Sequence, residues 1–160
     1  MDPNAVVETF RRTVTEHYVD FQGRCARRDF WYYVVAYIVG YVVLLIVQSL
    51  FGTHVLTVLY SLALLLPGLG ISVRRLHDID RSGWWLLIAV VPGVLMMLLA
   101  GMTLATGAGG LAFVYGILLP IISLAALALL IYWYAQPGTA GDNQFGAPPT
   151  PISPDTTARA

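Results

Sequence analysis

The sequence predicts an all-α, polytopic membrane protein: four transmembrane helices in two hairpins, preceded by a short amphipathic N-terminal helix. Three observations predict it. No formal charge falls between Phe30 and Val73 or between Ser82 and Gly141, and 160 residues cannot build a soluble core large enough to bury both stretches. Between them stands a polar island, Arg74-Arg75-Leu76-His77-Asp78-Ile79-Asp80-Arg81, where the chain meets water. Charged residues make up only 11% of the chain, against about 25% in an average soluble domain.

Residues 1–22 read as the amphipathic helix, with Asp2 as N-cap, Pro3 at the first helical position, and Val6, Val7, Phe10, Val14, Tyr18 and Phe21 at helical spacing. Such a helix lies on the membrane surface or packs on the island; a loosely packed soluble extension is the alternative. The four-helix domain occupies residues 23–149. Its first span, about 31–51, is long enough to cross a hydrocarbon core of roughly 30 Å, and Gly52-Thr53-His54 forms a tight turn. In the second, about 55–73, Pro67, Gly68 and Gly70 should kink or loosen the last two turns. The third, about 84–105, is expected to kink at Pro92-Gly93, and Thr106–Gly110 has the composition of a flexible turn. The fourth, about 111–134, is interrupted by Pro120. Prolines then crowd the end of the chain, and residues 150–160 are expected to form a disordered tail. Internal symmetry of the kind an inverted-repeat transporter needs is not visible.

All nine basic residues are Arg. With four spans they fall on the side of the termini and the island, and none falls in the two opposite turns. The positive-inside rule therefore places both termini in the cytoplasm of a multi-pass bacterial inner-membrane protein. Trp31, Trp84, Trp85 and Trp133 sit at the same expected interface and serve as anchors, where a half-wet ring is favoured. The segment before Phe30 lacks the apolar core of a signal peptide, so the first span is expected to direct insertion. Cys25 is the only cysteine, which excludes an intrachain disulfide. Its Arg24 and Arg27 neighbours favour the thiolate, although a lone cysteine at a membrane boundary is usually just a small residue.

Arg24, Arg28, Arg74, Arg75, His77, Asp78 and Arg81 are expected to form one polar cluster that contacts headgroups or a partner. If the second helix runs past the membrane, Arg74, His77, Asp78 and Arg81 share one face. Arg74 then pairs with Asp78, worth about 0.3–0.5 kcal/mol if exposed. One reading has this stripe stitch the loop to the segment before the first span. Another makes it an anion site, with guanidinium groups gripping phosphate and Ser82-Gly83 adding backbone donors. A metal reading of His77, Asp78 and Asp80 is weaker, since the neighbouring Arg residues repel a cation. The same residues could act as acid and base, but no nucleophile motif accompanies them. Within the spans the polar residues are Gln48, Ser49, Thr57, Ser61, Ser72, Thr103 and Ser123, whereas proton relays and ion pathways use ionisable groups.

These residues point to a non-enzymatic interaction or lipid-associated module. The alternatives are a membrane enzyme acting on a lipid or phosphorylated substrate and, third, a small transporter or channel. No cofactor or metal is implied. The expected partners are membrane lipids, anionic ones among them, and a second copy of the chain or another membrane protein, but not nucleic acid.

Three stretches carry a resemblance: Gly23-Arg24-Cys25-Ala26-Arg27-Arg28-Asp29-Phe30-Trp31; Val73-Arg74-Arg75-Leu76-His77-Asp78 followed by Arg81-Ser82-Gly83-Trp84-Trp85; and Gly141-Asp142-Asn143-Gln144-Phe145-Gly146. Together they look like the domain-of-unknown-function family numbered 805, over roughly residues 18–149. The resemblance implies a small bacterial inner-membrane protein and no particular reaction. Asp80 stands where members commonly have Gly, so the resemblance alone does not predict a tight turn there. Many members also pass from the paired Trp to the Gly-Asp-Asn tail through one hydrophobic passage. A fourth span here would put the tail on a different side from a three-span relative, and the role the resemblance implies for Asn143, Phe145 and Gly146 depends on that side.

Overall fold

The computed structural model describes residues 2–52, 55–107 and 114–150. Among these there is no β-strand; a single isolated bridge pairs Asn143 with Gly146. The chain divides into two compact units, Met1–Ser82 with Pro137–Ala160, and Gly83–Gln136.

In the first unit, α1 spans Pro3–Thr15, and Asp2 Oδ1 accepts from the Asn4 N–H at 2.9 Å as its cap. It stops short of the expected reach because Asp20 organises a competing turn. Asp20 takes the Gln22 N–H at 3.0 Å and the His17 ring at 2.8 Å, local bonds that draw the backbone out of a helix. Partial burial works against the Asp20 charge, but these two donors hold its carboxyl below the ordinary value. The buried face of α1 is Ala5, Thr9 and Thr13, not the valine stripe, and Val7 is 66% exposed. Small side chains let α1 lie close on α2, with Phe10 stacked on Tyr33 at 5.7 Å.

Helix α2 runs from Arg27 to Phe51, and α3 (Val55–Ala63) and α4 (Leu65–Asp78) return. Tyr37 stacks on Tyr60 at 5.4 Å, and Gln48 Oε1 accepts from the Thr57 N–H at 3.3 Å, satisfying an otherwise orphaned donor in the first turn of α3. The expected single second span is instead two helices bent by 43°. Pro67 explains the site of the break. It lacks the N–H that would bond the Ala63 carbonyl, and that carbonyl accepts instead from Tyr18 Oη at 2.5 Å. Gly70 is required where it stands, since a Cβ there would lie 2.8 Å from the Asp20 carbonyl oxygen.

The second unit holds a 3-10 turn at Gly83–Leu86, α5 at Leu87–Thr106, a π turn at Val114–Leu118 and α6 at Leu119–Ala135. Pro92 lies inside α5, which continues on both sides of it. Pro120 falls in the first turn of α6, where its missing N–H costs nothing, and the wide π turn precedes it. Trp85 meets Trp133 edge to face at 5.2 Å, so the start of the first arm and the end of the second lie together, as an antiparallel hairpin requires.

Arg27–Phe51, Gly83–Thr106 and Tyr115–Ala135 are long and apolar enough to cross a membrane, and the bent pair makes a fourth if it counts as one span. Much of the two expected outer turns, the start of the fourth span and residues 151–160 of the expected tail lie outside the described residues.

Candidate functional site

The end of α4 is where distant parts of the first unit converge. Its last carbonyls have no partner within the helix, and the chain supplies them from both sides. Ile79 and Asp80 leave the helix with Asp80 at φ +58, the Asp80 N–H bonds His77 O at 3.1 Å, and the Arg81 N–H bonds Leu76 O at 2.9 Å. This is a Schellman cap with Asp in the left-handed position that glycine usually fills. A tight turn therefore forms despite the absence of Gly. From the other direction the Thr139 N–H bonds Asp78 O at 2.8 Å, and Asn143 Nδ2 bonds His77 O at 2.8 Å.

At the centre is the Asp78 carboxylate. Oδ1 accepts from Arg24 Nε at 3.0 Å and Oδ2 from Arg75 Nη1. All three side chains are shut away from solvent, at 1% exposure for Arg24, 0% for Arg75 and 4% for Asp78. The rest of the Arg24 fork binds the tail, with Nη2 on Thr139 O at 2.7 Å and Nη1 on Gly141 O at 2.7 Å. Gly138 passes so close to Asp78 that a Cβ would overlap the carboxylate. His77 Nδ1 donates to Gly23 O at 3.1 Å, which fixes a proton on that nitrogen since a carbonyl can only accept. The ring stacks on Phe145 at 3.8 Å.

Of the seven candidate residues, Arg24, Arg75, His77 and Asp78 thus meet at one point. Arg28 stands apart, 3.6 Å from Asp29 and over the Tyr32 ring. Arg81 contributes its backbone N–H to the cap. The expected Arg74–Asp78 pair is corrected, because Asp78 takes Arg75 at i−3 and Arg24 from outside the helix, buried rather than exposed. Arg74 turns to another side, where its Nε lacks an acceptor. The helix also ends before Arg81, so the four-residue stripe does not form. Of the two readings of Cys25 the thiolate one is corrected: burial pushes its thiol up to about 12, and the opposing pull of Arg74 does not prevail. Asp78, with both oxygens on guanidinium groups, is unsuited to the metal reading.

Thr139 and Gly138 were not singled out from the sequence at all, whereas Asn143 and Phe145, which the family's tail motif carries, meet His77 here. The only signal for the tail was the Gly141–Gly146 motif.

A family model described as "Protein of unknown function (DUF805)" matches residues 18–147, which include every residue of this convergence. The chain belongs to that family. DUF805 relatives include the inner membrane protein YhaI of Escherichia coli K12, 34% identical over 86% of this chain and 92% of the relative. The inner membrane protein YhaH of the same strain is 27% identical over 85% and 92%. The protein YiiR is 36% identical over 84% and 88%. No solved structure matches. Membership of DUF805 and the apolar helices make this a membrane protein related to inner-membrane proteins.

Proposed function

We propose that the chain is a four-pass inner-membrane protein with both termini and the α4 end in the cytoplasm, working as a non-enzymatic interaction or lipid-associated module. One observation carries the reading. Arg24, Asp78 and Thr139 are bonded to one another, so the chain comes back to one point after α2 with α3–α4, and again after the second unit. Each return implies an even number of crossings, and two helical arms are present for each. The arginines before α2 and at the end of α4 then share one side, which the positive-inside rule makes cytoplasmic. Trp31, Trp84, Trp85 and Trp133 serve as anchors at that interface.

A fixed polar face supports a binding role over a catalytic one. Arg24, Arg75 and Asp78 are consumed by mutual bonds, and His77 is held by Gly23 and Phe145. A transporter is disfavoured because Ser72, Thr103 and Ser123 bond carbonyls of their own helices, and Gln48 bonds Thr57.

Reporters active only outside the cytoplasm, fused after Thr53, Gly109 and Ala160, test the reading. Activity is expected at the first two positions and none at the third. Activity at Ala160 with a cytoplasmic N-terminus would overturn it.

A further inference from the structure

Beside the clasp that Arg24, Arg75 and Asp78 form is a cavity of about 150 Å³, walled by α1, the segment leading into α2, α4 and Pro149–Thr150 of the tail. That is well above the roughly 10–15 Å³ that one water needs. Arg74 lines it at 8% exposure, and its Nε is buried with no acceptor among the described residues. Arg11, Arg12, Arg24, Arg28 and Arg75 each face a carboxylate. Arg74 enters no such pair. A guanidinium cannot shed its proton, so a buried one without a direct ion-pair partner is costly, and the Asp20 carboxylate feels its charge only at a distance. Thr9 Oγ1, on the α1 wall, is likewise buried without a hydrogen-bond partner, and the buried Oδ1 of Asp29 shares the cavity, 3.6 Å from Arg28 Nε.

The remaining charges are unevenly set. Arg12, Arg24 and His17 also line the space, and Asp29 is the acidic residue on its wall. Asp29 is accompanied by Arg28 at 3.6 Å, Arg12 by Glu16 and His17 by Asp20. Arg12, Arg24 and His17 thus add positive charge around the space while their bonds go elsewhere, and the unpartnered donors on it, among the described residues, are Arg74 Nε and Thr9 Oγ1.

We propose that this cavity binds a phosphate group, with Arg74 gripping two oxygens through its fork and Thr9 donating to the group from α1. A guanidinium fork matches two phosphate oxygens, and a hydroxyl from a second element can take a third, which suits a tetrahedral anion better than a planar carboxylate. The group comes either from a phospholipid headgroup or from a free phosphate; only the first rests on the proposed placement at the membrane surface.

The test uses the full chain, delipidated in an uncharged detergent at fixed ionic strength. One arm titrates inorganic phosphate; the other titrates short-chain phosphatidylglycerol, with diacylglycerol as phosphate-free control. The unfolding midpoint is read throughout, and native mass spectrometry counts adducts. A saturable rise with one adduct per chain is expected. Saturation by inorganic phosphate identifies the free group as sufficient, and saturation by the lipid alone identifies a headgroup. Arg74→Gln should weaken the apparent affinity tenfold or more and Thr9→Val several-fold, with Arg11→Gln unchanged. Thr9→Val, which removes a partnerless hydroxyl, keeps the test decisive should Arg74→Gln fail to fold. No saturable rise in either arm, or undiminished binding by Thr9→Val and any folded Arg74→Gln, overturns the proposal. A reversed reporter pattern would overturn the orientation while leaving the phosphate titration intact.

Discussion

The first unit is closed by charge, whereas the second is closed by apolar contact. In the first, one carboxylate holds two guanidinium groups away from water, and the tail is bonded to the same point. In the second, α5 and α6 carry no formal charge; Trp85 and Trp133 pack together at one end, and polar side chains such as Ser123 bond their own helix. Lipid offers apolar side chains nearly the same environment as a neighbouring helix, so contact in the second unit is forgiving. Buried ions have no such alternative. Substitutions of similar size should therefore be felt very differently in the two units.

The sharpest break of that contrast is Asp78→Asn. Removing one partner of a buried ionic group leaves the others uncompensated, which typically costs about 3–5 kcal/mol, and here two arginines lose it at once. Ser123→Ala in the second unit should stay within about 0.5 kcal/mol. Unfolding in detergent by heat or a denaturing co-detergent compares the two directly. Equal losses would mean that the clasp contributes no more than an ordinary helix contact.

The contrast was visible in the chain before its details were. Two charge-free stretches around an arginine island dictate membrane helices and a wet end, because burial of a charge in hydrocarbon is prohibitive. The choice of Arg75 over Arg74 was not legible. Both are within helical reach of Asp78, and the decision depends on Arg24, far away in the chain, which approaches the carboxylate from outside the helix. The break at Leu64 was misplaced for a related reason. Pro67 marks a freed carbonyl one turn earlier, but the bent form also draws on Tyr18, which no local pattern ties to Ala63. The tail was illegible because its bonds are to backbone carbonyls, and these leave no trace in side-chain type.

Cys25 sharpens the comparison by reporting on the interior of the first unit. With its thiol raised to about 12, it should react slowly with a maleimide in the folded protein even at pH 9, where an exposed thiol, of pKa about 8.5, is mostly ionised. The sign for stability follows. The unfolded chain loses this proton first, so stability is fully present below about pH 8.5 and declines as pH rises from there toward 12. Cys25→Ser should remove the part of that loss that sets in below about pH 10, where tyrosine does not titrate. Rapid labelling of the folded protein at neutral pH would show that the clasp opens to water.

The smallest effect has the opposite sign. Asp80 holds φ +58 in the Schellman cap of α4, a conformation that costs an L residue roughly 1–2 kcal/mol, less for Asp and nothing for Gly. Its backbone N–H, not its carboxylate, makes the capping bond to His77 O, so Asp80→Gly keeps the bond and removes the strain. A gain of about 0.5–1 kcal/mol is expected, with the Gly entropy in the unfolded chain subtracting from it. Asp80→Val, which cannot adopt this conformation without clash, should lose more than that. If Asp80→Gly destabilises instead, the carboxylate has a partner that matters more than the backbone. The first unit would then depend on a second acidic contact beside the one at Asp78.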